Sequence, residues 1–297
     1  MAVTVSSPID AGREPYTTGT VTSNDGTNIR YRRMGRGPGV VVLHGTMSSG
    51  ANHTQLAEAL AGSFTVFVPD RRTLGQRGRD RGEYSILKEV EDLDALLAET
   101  GAVNVFGVSS GGIIALQAAL TLPAIYRVAV YEPPLFADRS VPSAVLARYD
   151  REMARGKVAA ALITAMKGAQ MGPPAFNYIP RPLLEFLTSR MLKSQDGKPA
   201  GGYLTMKALA PSLHYDLQLV ADMSGKHRDF GAIRAEVLLL GGSKSPAYLK
   251  AALDSLEKAL PQAQRVEFPG LDHAASWNTD IGGRPDAVAE ELRRFFA

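Results

Sequence analysis

Apolar residues follow two alternating rhythms along the first 131 positions. A continuous run at 39–43 suits a strand covered on both faces, and the largely apolar stretches 64–68, 103–106 and 127–131 read as further strands. Between them, 55–61, 86–97 and 113–120 carry apolar residues at helical spacing. Ser85 is a ready cap for the second of these, whose apolar stripe is Ile86, Val90, Leu93 and Leu97. Ahead of the first run, 19–23 and 27–33 flank Asn24-Asp25-Gly26, a hairpin turn. Strand and helix in alternation imply an α/β fold: a parallel sheet with helices on both faces.

The rhythm changes after Glu132. Residues 133–228 hold no convincing buried strand, only helical stretches near 141–156, 157–171, 181–195 and 203–222. Gly172-Pro173-Pro174, Pro180, Pro182, a turn cluster at 195–202 and Pro211 interrupt them. Strand–helix alternation then returns, with strands at 237–240 and 265–268 and helices at 246–260 and 285–296. At about 150 residues per domain, 297 residues allow two domains or one α/β domain with an insertion. The pattern favours a core of 1–132 and 229–297, with 133–228 inserted after strand six as a helical lid and 1–17 as a mobile tail.

Composition narrows the function. With 45% hydrophobic and 21% charged residues and a net charge of +3, the chain is neither disordered nor dedicated to a polyanion. The absence of Cys excludes disulfide scaffolds, thiolate metal sites and cysteine nucleophiles. The longest apolar stretch, 158–166, is too short to cross a membrane, and the first residues lack a signal-peptide pattern. A cytoplasmic protein without a membrane partner is expected. No His/Asp/Glu spacing suggests a metal. Arg71, Arg72, Arg77, Arg79 and Arg81 form a basic run, but Asp70, Asp80 and Glu83 dilute it. No aromatic residue interleaves before Tyr84, so a solvated loop is expected and no nucleic-acid site. Gly35-Arg36-Gly37-Pro38-Gly39 precedes a strand, which is wrong for a dinucleotide fingerprint.

Chemistry concentrates at three points. Gly107-Val108-Ser109-Ser110-Gly111 matches G-x-S-x-G, with a strand before it and a helix after. A nucleophile on such a tight turn needs small neighbours, and the following helix aims its N-terminal N–H groups at whatever Ser109 attacks. His44-Gly45-Thr46 ends the strand at 39–43. The backbone N–H groups of Thr46 and Ser110 would supply two donors to a developing oxyanion, with His44 holding the loop. His273, in Pro269-Gly270-Leu271-Asp272-His273, follows the last strand and can fold back over the sheet edge as the base a serine needs. His53, His214 and His227 read as surface or packing residues.

In this order, the His-Gly turn, the elbow, the helical insertion and the terminal His resemble the α/β-hydrolase superfamily over residues 20–296. That resemblance implies an eight-stranded, mostly parallel sheet, with the active site between core and lid. It also exposes a departure. Many relatives carry the triad acid in a G-x-x-D-P turn after strand seven, where this chain has Gly242-Ser243-Lys244-Ser245-Pro246. A subset, including many haloalkane dehalogenases, places the acid after strand six, where this chain has Glu132; Asp138 and Asp272 are the alternatives. Haloalkane chemistry itself uses an Asp nucleophile, unlike Ser109.

The expectation is therefore a cofactor-free esterase or lactonase, with Ser109, His273 and Glu132 catalytic and a small apolar ester or lactone as substrate. Met47, Phe136 and Trp277 are candidate pocket residues, each equally compatible with core packing. The same triad could serve C–C, thioester or amide hydrolysis or perhydrolysis. A non-catalytic receptor on this fold is the rival from another class.

Overall fold

The computed structural model describes residues 16–75, 84–172, 178–195 and 202–297. Nearly all of the expected N-terminal tail, Arg77, Arg79 and Arg81, Pro173-Pro174 and most of the 195–202 turn cluster lie outside the described residues. The expected hairpin is β1 (Thr17–Thr22) and β2 (Asn28–Gly35), paired antiparallel. The chain continues through β3 (Gly39–Leu43), α1 (Thr54–Leu60), β4 (Thr65–Pro69) and the single turn α2 (Arg72–Gly75). Next come α3 (Ile86–Thr100), β5 (Asn104–Val108), α4 (Ser110–Thr121) and β6 (Arg127–Tyr131). The insertion contributes α5 (Ser140–Ala154), α6 (Val158–Gly168), α7 (Arg181–Ser194), α8 (Met206–Leu209) and α9 (Leu213–Met223). Finally β7 (Glu236–Gly242), α10 (Ala247–Ala259), β8 (Gln264–Phe268) and α11 (Pro285–Phe296) complete the core.

One eight-stranded sheet runs in the order β1-β2-β4-β3-β5-β6-β7-β8, parallel from β4 through β8 and antiparallel at its β1–β2–β4 margin. The helix expected over 203–222 is broken at Pro211. A proline cannot donate its missing N–H to the helix ladder, so α8 passes through a 3₁₀ turn before α9 starts.

The largely apolar strands are explained by burial on both faces at period two. Val40, Val42, Val66, Val68, Phe106, Val108, Ala129, Leu238 and Leu240 point to one side, against α1 and α11. Val41, Leu43, Phe67, Val105, Val128, Val130, Val237 and Leu239 point to the other, against α3, α4, α9 and α10. Fully burying each such side chain contributes roughly 1.5–3 kcal/mol. A charge at Val105 or Phe106 would therefore disrupt one layer outright.

The inserted helices carry a small core of their own, built from Tyr149, Ala161, Leu162, Leu192 and Leu213. They also grip the main core. Helix α9 packs on α4, Phe136 packs against the core's buried residues, and Met47 packs against the insertion's core. No helix among the described residues is long and apolar enough to cross a membrane.

Candidate active site

Strand β5 delivers Ser109 onto a turn with φ 55° and ψ −125°, and α4 begins at the next residue. The turn is tight enough that a Cβ on Gly107 would lie 2.3 Å from the Gly111 carbonyl oxygen, so only glycine fits. Ser109 donates its N–H to the Tyr131 carbonyl at 2.9 Å, which ties the turn to β6. Its side chain is half-buried.

The His44–Ser48 loop leaves β3 alongside. A Cβ on Gly45 would come within 2.8 Å of Ser109 Cβ, so this backbone touches the serine directly. His44 is buried, and desolvation together with the Arg71 charge lowers its pKa to about 3. Its neutral Nε2 accepts the Arg71 N–H at 3.1 Å, so the proton sits on Nδ1, which donates to the Gly45 carbonyl at 2.9 Å. Thr46 Oγ1 donates to Ser110 Oγ at 3.2 Å, joining the loop to the start of α4.

Glu132 continues β6 by one rung, donating its N–H to the Leu240 carbonyl at 3.1 Å. Pro133 and Pro134 then end the ladder. Glu132 takes φ +48° and turns its fully buried carboxylate across β7. Oε1 accepts the Gly242 N–H at 2.6 Å, and Oε2 lies 2.8 Å from His273 Nδ1. The His273 loop is fixed on both sides: Tyr131 donates its hydroxyl to the Asp272 carbonyl at 2.8 Å, and Lys244 donates its N–H to the Leu271 carbonyl at 2.9 Å.

Asp138 and Asp272 are exposed and committed elsewhere, Asp138 to Ser140 and Asp272 to the Ala274 N–H at 2.9 Å. Ser245, in the turn after β7, is buried with its hydroxyl unpartnered among the described residues. Of the four non-glycine residues described with positive φ, three are Met47, Ser109 and Glu132. Backbone strain is thus concentrated on the loops that bear the candidate groups, as is common where a site over-determines its geometry.

The three pocket candidates lie on different segments. Met47 is half-buried beneath the inserted helices. Phe136 stacks on Tyr248 of α10, with centroids 4.9 Å apart and planes 15° apart. Burial, and secondarily the nearby Glu132, push the Tyr248 phenol well above its ordinary pKa. Tyr248 was not singled out in the sequence; a tyrosine two residues past Pro246 carries no motif. Trp277 is half-buried in the turn after His273, donating its N–H to the Ala274 carbonyl at 2.9 Å.

One expectation is corrected outright. Arg71 and Arg72 do not belong to a solvated loop; they are 3% and 5% exposed. Arg72 pairs with Asp92 at 2.5 Å and Asp25 at 2.8 Å, clamping the hairpin turn to α3. Arg71 pairs with Glu89 at 2.7 Å and with Asp216 of α9 at 2.9 Å, and donates to Ser110 Oγ at 3.0 Å. Burial alone would raise the Glu89 pKa, but the Arg71 charge and hydrogen bonds outweigh it and hold it below the usual range. A guanidinium buried beside two carboxylates is an ion-pair network rather than a polyanion site. No group of three or more potential metal ligands occurs among the described residues.

A doubly layered α/β sheet with a serine on a strand-to-helix elbow and a helical insertion after β6 defines the α/β-hydrolase class. The comparisons agree: a model of the alpha/beta hydrolase family matches residues 40–291, and the chain belongs to that family. It is 33% identical to an alpha/beta hydrolase from Sphaerobacter thermophilus DSM 20745, with a TM-score of 0.73 over 94% of this chain and 100% of that one. It is 27% identical over 270 residues to the pimeloyl-[acyl-carrier protein] methyl ester esterase of Xanthomonas campestris pv. campestris, covering 89% of this chain and 97% of that protein. The enol-lactonase from Burkholderia xenovorans LB400 shares the fold at a TM-score of 0.67 and 20% identity, over 94% and 99% of the two chains.

Proposed function

We propose that this hydrolase cleaves a carboxylic ester, open-chain or lactone, through an acyl-enzyme on Ser109. The observation that carries the reading is the 2.8 Å contact between Glu132 Oε2 and His273 Nδ1, with the other carboxylate oxygen already held by Gly242. A carboxylate in that place keeps the proton on Nδ1 and leaves Nε2 free to accept one. Ser109 attacks the ester carbonyl while His273 takes its proton. Glu132 stabilises the imidazolium, and the N–H groups of Thr46 and Ser110 receive the oxyanion. His273 returns the proton to the leaving alcohol, and water deacylates the enzyme by the same route. A lactone differs only in that its leaving alcohol stays tethered to the acyl group. No metal or cofactor enters these steps. The 133–228 insertion serves as the lid, with Met47, Phe136 and Trp277 lining an apolar pocket for the acyl or ring portion.

The full-length likeness to a methyl ester esterase supports an ester as the scissile group. A receptor on the same fold would need neither the Ser109 nor the His273 chemistry. The test is a panel of p-nitrophenyl esters from acetate to octanoate beside simple lactones, run with wild type and Ser109→Ala. Turnover by wild type that Ser109→Ala abolishes is expected. Turnover that survives in the variant, or no turnover of either class by wild type, would contradict the reading.

A further inference from the structure

Arg71 contacts His44, at the head of the Thr46 loop, and Ser110, so it bonds to both segments that carry the proposed oxyanion donors. Its backbone N–H is bound to His44 Nε2, and His44 in turn holds the Gly45 carbonyl in the Thr46 loop. Its Nη1 donates to Ser110 Oγ at 3.0 Å, the same oxygen that accepts Thr46 Oγ1 at 3.2 Å. The guanidinium is aimed by three other groups: Glu89 on its Nε and Nη2, the Tyr84 hydroxyl at 3.5 Å from Nη2, and Asp216 on Nη1. Glu89 and Tyr84 belong to the core. Asp216 comes from α9, the helix that returns from the insertion, 145 residues away in sequence. An anchor for packing alone would have no need to fork onto the residue next to the nucleophile.

We propose that Arg71 is a positioning residue that sets the Thr46 and Ser110 donors in register. Asp216 makes that register depend on α9 being seated, so the lid's placement and the oxyanion hole are mechanically linked. This inference rests on the acyl-transfer reading above. Oxyanion donors act only when aimed at the developing charge, and removing one costs roughly 10²–10³ in kcat. Displacing a group by about an ångström can cost about a hundredfold.

The test measures kcat, KM and the inhibition constant of a trifluoromethyl ketone, whose serine adduct carries its oxyanion in the same hole. Arg71→Lys keeps the charge but loses the fork. It is expected to lower kcat about 10- to 100-fold with KM within about threefold. Ketone inhibition should weaken by the factor lost in kcat/KM. Ser110→Ala keeps its N–H yet removes the acceptor, for an expected loss of about tenfold. If Arg71 acts through Ser110, the double variant loses little more than the worse single one. Additive losses, or unchanged ketone inhibition with altered stability alone, overturn the proposal. Should Arg71→Lys fail to fold, Asp216→Asn is paired with Ser110→Ala and held to the same sub-additive expectation, and additivity or no loss overturns it. A wild type that turns over neither esters nor lactones defeats the acyl-transfer reading itself, and this inference with it.

Discussion

Glu132 and Glu89 are both carboxylates sealed from solvent near the elbow, and each faces a cationic or cation-forming partner. Their partners set them apart. Glu132 meets an imidazole whose side chain is 13% exposed and has one nitrogen uncommitted by the acid. Glu89 meets a guanidinium that is 2% exposed and whose donors are nearly all engaged. An imidazole nitrogen can accept and return a proton, whereas a guanidinium keeps its protons under any condition in which a protein folds. In the proposed mechanism the first pair moves a proton during the reaction. The second can only hold atoms in place, and breaking it leaves a buried charge exposed to no solvent.

That contrast is open to attack by mutation. Ser109→Ala should lose four or more decades of kcat while remaining folded; steady-state kinetics showing more than about a hundredth of wild-type kcat would remove the serine from the account. Glu132→Gln should lose about three to four decades of kcat with KM and urea midpoint near wild type, because shape is kept and the charge facing His273 is gone. Glu89→Gln should invert that profile. We expect a loss of about 3 kcal/mol in urea unfolding, since removing one partner strands buried charge, together with a smaller kinetic defect than Glu132→Gln. If the two variants exchanged phenotypes, the division between proton-moving and holding clusters would be wrong.

Acid provides a subtler probe. His44 and His53 are buried and neutral, with pKa values lowered by desolvation to about 3 and about 4, against about 6.5 when unfolded. The unfolded chain thus binds protons between pH 6.5 and 4 that the folded chain refuses, so stability is full above pH 6.5 and falls as the pH drops. Each histidine should contribute a loss of about 2 kcal/mol between pH 7 and pH 5. Urea unfolding of His53→Gln at the two pH values should therefore show a drop shallower than wild type by about that amount. The smallest effect belongs to Ser245→Ala, expected to change kcat less than tenfold. A larger kinetic loss would mean that the turn after β7 still participates as it does in relatives with an acid there.

The two clusters also differ in how they were written into the chain. The placement of Ser109 and His273 on loops after strands is legible, because a strand-to-helix turn rich in glycine is a local grammar. Glu132 needed more, namely the lack of an acid at Ser245 and its own place at the end of an apolar run. The alternating core faces and the helical insertion followed from periodicity. The position of β4 outside β3, and the antiparallel margin, are pairings between distant segments that periodicity does not encode.

Arg71 was misjudged because its partners lie 18 and 145 residues away and its sequence neighbours are charged. A signal was nevertheless present. Glu89 and Asp92 fall among the buried positions of α3, beside Val90, Leu93 and Leu96. Carboxylates on a core-facing stripe demand buried cations. The arginines directly after β4 supply them.

The most direct test of the central claim is to treat the folded protein with a fluorophosphonate and map the adduct by mass spectrometry, for wild type and Glu132→Gln side by side. A single adduct on Ser109, formed at least about a hundredfold more slowly in the variant, is the result predicted for a serine activated by the Glu132–His273 pair. No adduct, an adduct on another residue, or equal rates in the two proteins would contradict it.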